Sequence, residues 1–187
     1  MAGLDDFDAT LAAAKLGDER AAARLFGAFQ PPLLRYLRLQ ARDVAEDIAA
    51  EVWLAAARSI REFEGDERGY RAWLFTVARR RVVEHRRRTA SRRTEAVDPF
   101  ELEATRSLED PAALATDAID AQQAIEQMAR ILSPEQCEVL ILRAVADLSA
   151  AEVGELLGRP EAWVRLAQHR ALKVLAARLD VRMEVAP

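Results

Sequence analysis

Ser149-Ala150-Ala151-Glu152-Val153-Gly154-Glu155-Leu156-Leu157-Gly158-Arg159-Pro160 is a run punctuated at both ends. Ser149 offers a helix N-cap, and Glu152, three residues on, completes the capping-box pattern. Gly158 closes the short helix that follows, 150–157, and Pro160 opens a longer one to about Leu179, since proline has no N–H to lose in a first turn. Two helices joined by a tight glycine turn, the second long and basic, describe a helix-turn-helix. Upstream, Ser133-Pro134-Glu135-Gln136 repeats the device with an N-cap serine, a first-turn proline and a capping glutamine. Each cap is worth about 1 kcal/mol. On a helical wheel Val164, Ala167, Ala171, Val174 and Leu175 form the inner side of the last helix, leaving Arg165, Leu166, His169 and Lys173 outward with Arg170 at the flank.

Outward from this run the pattern stays helical. Gly and Pro are scarce, at seven each in 187 residues, β-branched runs are short, and apolar residues recur at helical spacing, so the chain reads as all-α. Helices are expected over 4–15 and 18–29, then a break at Gln30-Pro31-Pro32, then a helix over 33–40. Asp43 reads as the next N-cap with Glu46 in the capping-box position, ahead of an apolar stripe of Ala45, Ile48, Ala49, Val52, Ala56 and Ile60. Glu46, Asp47, Glu51 and Arg58 fall outside that stripe, and Trp53 lies beside it as core edge or partner contact. Residues 63–69 read as a loop because Gly65, Asp66 and Gly69 stand in a polar run. A long helix begins near Tyr70 with Tyr70, Trp73, Leu74, Val77, Ala78 and Val82 inward, which makes Trp73 core before anything else.

Charge is informative through its distribution rather than its sum of -4. The far end of the long helix carries Arg79, Arg80, Arg81, Arg86, Arg87, Arg88, Arg92 and Arg93 against Glu84 alone. From Glu95 to Asp120 the sign reverses, with eight acids, Arg106 as the one cation, and Pro99 and Pro111. The division is therefore a first domain over 1–93, an acidic linker over 94–117 and a second domain over 118–187. Cys137 is the single cysteine, so no internal disulfide and no cysteine-rich zinc site can form. His85 and His169 are far apart, and neither metal nor cofactor is expected. Asp5, Asp6 and Asp8 stand where a secretory signal would be basic, and no run approaches the roughly 18 apolar residues of a membrane span, so a cytoplasmic protein without membrane insertion is expected. No serine, cysteine or histidine has a partner at motif spacing and no Gly-rich phosphate loop occurs, which removes the common enzyme classes.

In order, these features resemble the extracytoplasmic-function group of sigma factors in the sigma-70 family, over nearly the whole chain except the linker. Asp43-Val44-Ala45-Glu46-Asp47-Ile48-Ala49-Ala50-Glu51-Val52-Trp53 resembles the family's acidic helix, with Ala50 where glutamine is common. The resemblance implies that Glu46, Asp47, Glu51 and Trp53 bind the clamp helices of the RNA polymerase β′ subunit. Phe63-Glu64-Gly65-Asp66, Tyr70, Trp73, Leu74, Val77-Ala78-Arg79 and the arginine run are similar to the family's promoter-melting and minus-ten segment. There the loop captures a flipped base, which implies DNA-binding roles for Glu64, Gly65, Asp66, Trp73, Arg79, Arg80, Glu84 and Arg87; Arg80 stands where asparagine is usual. The last segment resembles the family's fourth region, which reads the minus-thirty-five element and implies roles for Arg165, Leu166, His169, Arg170 and Lys173. Trp163, Leu166 and Ala167 replace what are often threonine, serine and arginine. The implied partners are RNA polymerase core, including its β flap, promoter DNA and an anti-sigma factor.

The residues support this physically. A melted strand calls for an arginine track to hold phosphates and an aromatic surface for unstacked bases, and the first domain offers both. Arg165, His169 and Arg170 can donate to phosphates or base edges, while Leu166 offers only an apolar contact such as one with a thymine methyl. Two other readings stay open: a sigma mimic that sequesters an anti-sigma factor, for which the Arg79 to Arg93 cluster is superfluous, and a polymerase-independent helix-turn-helix regulator, which leaves Glu46, Asp47 and Glu51 unexplained.

Overall fold

The computed structural model describes residues 4–95, 128 and 130–184. Among them every regular element is helical: α1 (Phe7–Lys15), α2 (Glu19–Ala41), a 3₁₀ turn (Arg42–Val44), α3 (Ala45–Ser59), α4 (Glu67–Glu95), α5 (Pro134–Ala144), α6 (Ala150–Leu157) and α7 (Glu161–Glu184). The all-α expectation holds. The acidic stretch lies outside the described residues apart from its first positions, which continue α4 to Glu95. Among the described residues no helix is long and apolar enough to cross a membrane.

The expected break at Gln30-Pro31-Pro32 does not occur, because α2 runs through both prolines. Each interior proline removes an N–H and crowds the preceding turn, a cost of about 3 kcal/mol or more. Against it stand Leu25, Phe29, Pro32, Leu33, Tyr36 and Leu37, which line one buried face on both sides of the prolines, at about 1.5–3 kcal/mol for each large apolar side chain fully buried. Continuity of the buried face wins.

The expected capping box at Asp43 does not form either. Asp43 lies within the 3₁₀ turn, the residue before α3 is Val44, and no side chain caps it. Glu46 is drawn the other way, its Oε1 accepting from Arg38 Nε at 3.1 Å and Nη2 at 2.8 Å on α2. The stripe itself is as read, with Ala45, Ile48, Ala49, Val52 and Ala56 buried and Ile60 half-buried.

Helix α4 begins three residues before Tyr70, where the sequence suggested a loop. Asp66 is the reason: its Oδ1 accepts from Gly69 N at 2.8 Å, and its carbonyl accepts from Tyr70 N at 2.9 Å. Tyr70, Leu74, Ala78 and Val82 are buried as expected, while Trp73 and Val77 are half-buried. Phe75 was missed; it is fully buried with its ring edge-on to Tyr36 at 5.3 Å. Phe7, Phe29, Phe63, Tyr70 and Trp73 form a second aromatic group, with Phe29 and Tyr70 centroids 5.1 Å apart.

Both capping boxes of the second unit form with their reciprocal bonds, Ser133 with Gln136 and Ser149 with Glu152. Gly158 ends α6 in the left-handed conformation at φ 65°. Gly154 is needed for a different reason: a Cβ there would lie 2.7 Å from the carbonyl oxygen of Arg159. On α7, Val164, Ala167 and Ala171 are buried and Leu175 is half-buried against the cluster around Cys137 and Leu140, but Val174 is exposed, because it falls at the edge of that stripe. Arg143 ties the unit together, its Nε donating to Gln168 Oε1 at 3.0 Å and its Nη1 to the carbonyl of Leu148.

Candidate partner and nucleic-acid interfaces

The acids of α3 face outward as a consequence of the stripe beneath them. Glu46, Asp47 and Glu51 are exposed, but two of them are paired at the surface: Glu46 with Arg38, and Glu51 Oε2 with Arg81 Nε at 3.5 Å. Among the described residues Asp47 has no ion pair. Exposed pairs contribute only about 0–1 kcal/mol, so a partner's cations can displace them at little cost. The Glu51–Arg81 pair also means that the acidic face and the arginine helix meet along an edge rather than standing fully apart. Trp53 sits at the rim of this face, its Nε1 donating to Gln30 Oε1 at 2.6 Å and its ring 4.9 Å from that of Phe26. Phe26 and Leu54 are exposed beside it and were missed. Their signal was available in the sequence as large apolar residues off the buried stripe.

The second set gathers on the turn before α4 and along that helix. Glu64, Gly65 and Asp66 are exposed on the turn, where Gly65 has φ 150° and would bring a Cβ to 3.1 Å from the Phe63 ring. Trp73 stands half-buried between Phe63 at 5.8 Å and Tyr70 at 5.6 Å, with part of its surface at the mouth of a cleft of about 430 Å³. It is both core edge and accessible ring. Burial pushes the Tyr70 phenol up to about 12, so its hydroxyl stays neutral. Arg79 is engaged, its Nε donating to Glu138 Oε1 at 2.8 Å, whereas Arg80 lines the same cleft and Arg87 is exposed, neither in an ion pair among the described residues. Glu84 binds Arg81 at 3.3 Å and Arg88 at 2.5 Å, and so organises the arginines around it. Arg86 reaches across to the Gln40 carbonyl at 2.8 Å. The side chains of Arg92 and Arg93 lie outside the described residues.

The third set lies on α7. Arg165, Leu166, His169, Arg170 and Lys173 are all exposed, on one side of the helix, with Arg165 held by Glu161 at 2.5 Å. Arg159, in the turn before α7, extends this face by stacking its guanidinium over Trp163 at 5.1 Å, a contact that was missed. Burial pushes the Cys137 thiol up, consistent with an inert core position. No group of three or more His, Cys, Asp or Glu residues with metal-holding geometry occurs among the described residues.

Residues 25–92 match the family described as Sigma-70 region 2, and residues 130–177 match Sigma-70, region 4. The chain is 33% identical over 169 residues to the ECF RNA polymerase sigma factor BldN of Streptomyces coelicolor, covering 87% of this chain and 62% of that protein. It is 31% identical over 182 residues to the ECF RNA polymerase sigma factor SigD of Mycobacterium tuberculosis, covering 90% of this chain and 81% of that one. The solved structure of CnrH in complex with the cytosolic domain of CnrY has the same fold, with a TM-score of 0.65 at 21% identity over 94% of this chain and 99% of that chain.

Proposed function

Since this chain belongs to the extracytoplasmic-function sigma factors of the sigma-70 family, we propose that it directs RNA polymerase core to specific promoters and helps to open them at initiation. The observation that carries the reading is the placement, on one chain and in order, of an outward acidic helix, an arginine-rich helix behind an exposed turn, and a helix-turn-helix whose second helix presents cations. Each suits a different surface. Glu46, Asp47 and Glu51, with Trp53 at the rim, meet the basic clamp helices of the β′ subunit, where weak intramolecular pairs exchange for intermolecular ones.

The turn at Glu64, Gly65 and Asp66 and the half-buried Trp73 receive an unstacked base of the minus-ten element, while Arg79, Arg80 and Arg87 track phosphates and Glu84 holds neighbouring guanidinia in register. Arg165, Leu166, His169, Arg170 and Lys173 enter the major groove at the minus-thirty-five element, with the β flap supporting that unit. The domains are 1–93 and 118–187, joined by an acidic linker over 94–117. An anti-sigma factor is the third partner, and the work is done in the cytoplasm by binding alone, without cofactor or catalysis.

Reconstitution with polymerase core and a promoter library tests the reading; the expected result is specific transcripts that require both. Glu51→Arg puts a cation against the clamp and is expected to abolish core association while the helical content measured by circular dichroism is unchanged. Tight association retained by that variant would remove α3 as the docking face.

A further inference from the structure

Among the described residues three ion pairs cross between the helical units, and each sets an arginine of α4 against an acid of the helix-turn-helix unit. Arg68 Nη2 meets Glu152 Oε2 at 3.3 Å, Arg71 Nη1 meets Asp147 Oδ2 at 3.1 Å, and Arg79 Nε meets Glu138 Oε1 at 2.8 Å. Positions 68, 71 and 79 share one side of the helix. Arg71 anchors the middle contact: its side chain is 12% exposed, also binds Glu67 at 2.9 Å and lies over the Phe29 ring at 5.8 Å. Between these pairs Ala72 and Trp73 face Leu156 across the cleft, and apolar packing continues from the first unit into the second. The acids therefore stand opposite arginines of α4 and beside the cleft that Trp73 and Arg80 line.

Resting on the reading of α4 as the single-strand track, we propose that the helix-turn-helix unit closes over this track in the free chain. Its acids hold Arg68, Arg71 and Arg79, and its Glu152, Glu155 and Leu156 wall the cleft in front of Trp73, until an anionic strand displaces them. The contact is built to be displaced. The pairs are few and partly solvated, so they are screened by salt and exchange readily for phosphate.

The test uses the full chain and the double variant Glu138→Gln/Asp147→Asn. Neither acid takes part in a capping box, and asparagine tolerates the positive φ of 55° at position 147. Two quantities are measured: the radius of gyration by small-angle X-ray scattering at low and high salt, and affinity for a fluorescent single-stranded oligonucleotide. The wild type is expected to expand as salt rises. The variant is expected to be expanded already at low salt and to bind the oligonucleotide about five-fold tighter. Exchanging the charges in Arg79→Glu/Glu138→Arg should keep wild-type dimensions at low salt.

Equal dimensions of wild type and double variant at low salt would overturn the closure. So would an equal gain in affinity from Asp8→Asn/Glu19→Gln, which removes two distant acids and would reveal a mere effect of net charge. Failure of the sigma reading has another signature: no core-dependent transcript from any variant, with the expansion and the affinity gain both intact.

Discussion

Helices α1 to α4 and helices α5 to α7 are specified in different ways. In the first unit α1 and α3 start without a side-chain cap, and α2 carries two prolines in its interior. What holds these helices is the quantity of ring surface they hide, with Phe29, Tyr36, Tyr70 and Phe75 all fully buried. In the second unit the fully buried large side chains are leucines such as Leu142 and Leu148, and α6 has only eight residues, too few to persist alone. There the starts of α5 and α6 are fixed by reciprocated capping boxes and the turn by two glycines. Large buried area overrides poor local signals; where that area is small, the local signals must be right.

Removing rings from the first unit should therefore hurt most. Phe75→Ala is expected to cost about 3–5 kcal/mol, read as a lower denaturant midpoint for that unit's unfolding; a loss near the size of one cap would break the contrast. In the second unit the sensitive position is a backbone clearance. Gly154→Ala drives a Cβ into the Arg159 carbonyl, at 2.7 Å in the undistorted turn. Overpacking of this kind costs about 1–3 kcal/mol, and here it should melt α6 and the reading helix while the first unit stays folded. Residue-resolved hydrogen exchange separates the two, and uniform loss of protection would show that the units are not distinct in this way.

The smallest expected effect is a pH dependence. Burial alone would raise the Glu152 carboxyl, but hydrogen bonds from Ser149 and the Arg68 guanidinium outweigh it, so the group lies below its ordinary value of 4.5. A depressed carboxylate stabilises the folded form fully above that ordinary value, and the contribution fades as pH falls through the lower, folded one. The start of α6 should loosen only in acid below pH 4.5, with Ser149→Ala shrinking the effect. An acid transition unchanged by that substitution would remove the cap as its cause.

This contrast also explains what was legible from residues alone. Capping boxes at Ser133 and Ser149 are local, and they formed as read. The α3 stripe is periodic, and it was buried as read, which placed Glu46, Asp47 and Glu51 outward. The prolines of α2 misled because their local cost is visible in sequence while the burial that overrides it is not. Asp43 misled for a related reason: Glu46, the residue that should have closed its box, is claimed by Arg38 from another helix. The pairing of Arg68, Arg71 and Arg79 was beyond reach, since their partners lie 84, 76 and 59 residues away and no spacing rule connects them.

One oxygen links the two scales. Glu152 Oε2 accepts from the Ser149 backbone N–H at 2.5 Å and also from Arg68 at 3.3 Å. Each carboxylate oxygen offers two lone pairs, so Arg68 can leave without taking the acceptor from the first turn of α6. The cap at the start of α6 is thus built to outlast the contact between the units, and the short helix ahead of α7 keeps its start whether or not Arg68 is in place.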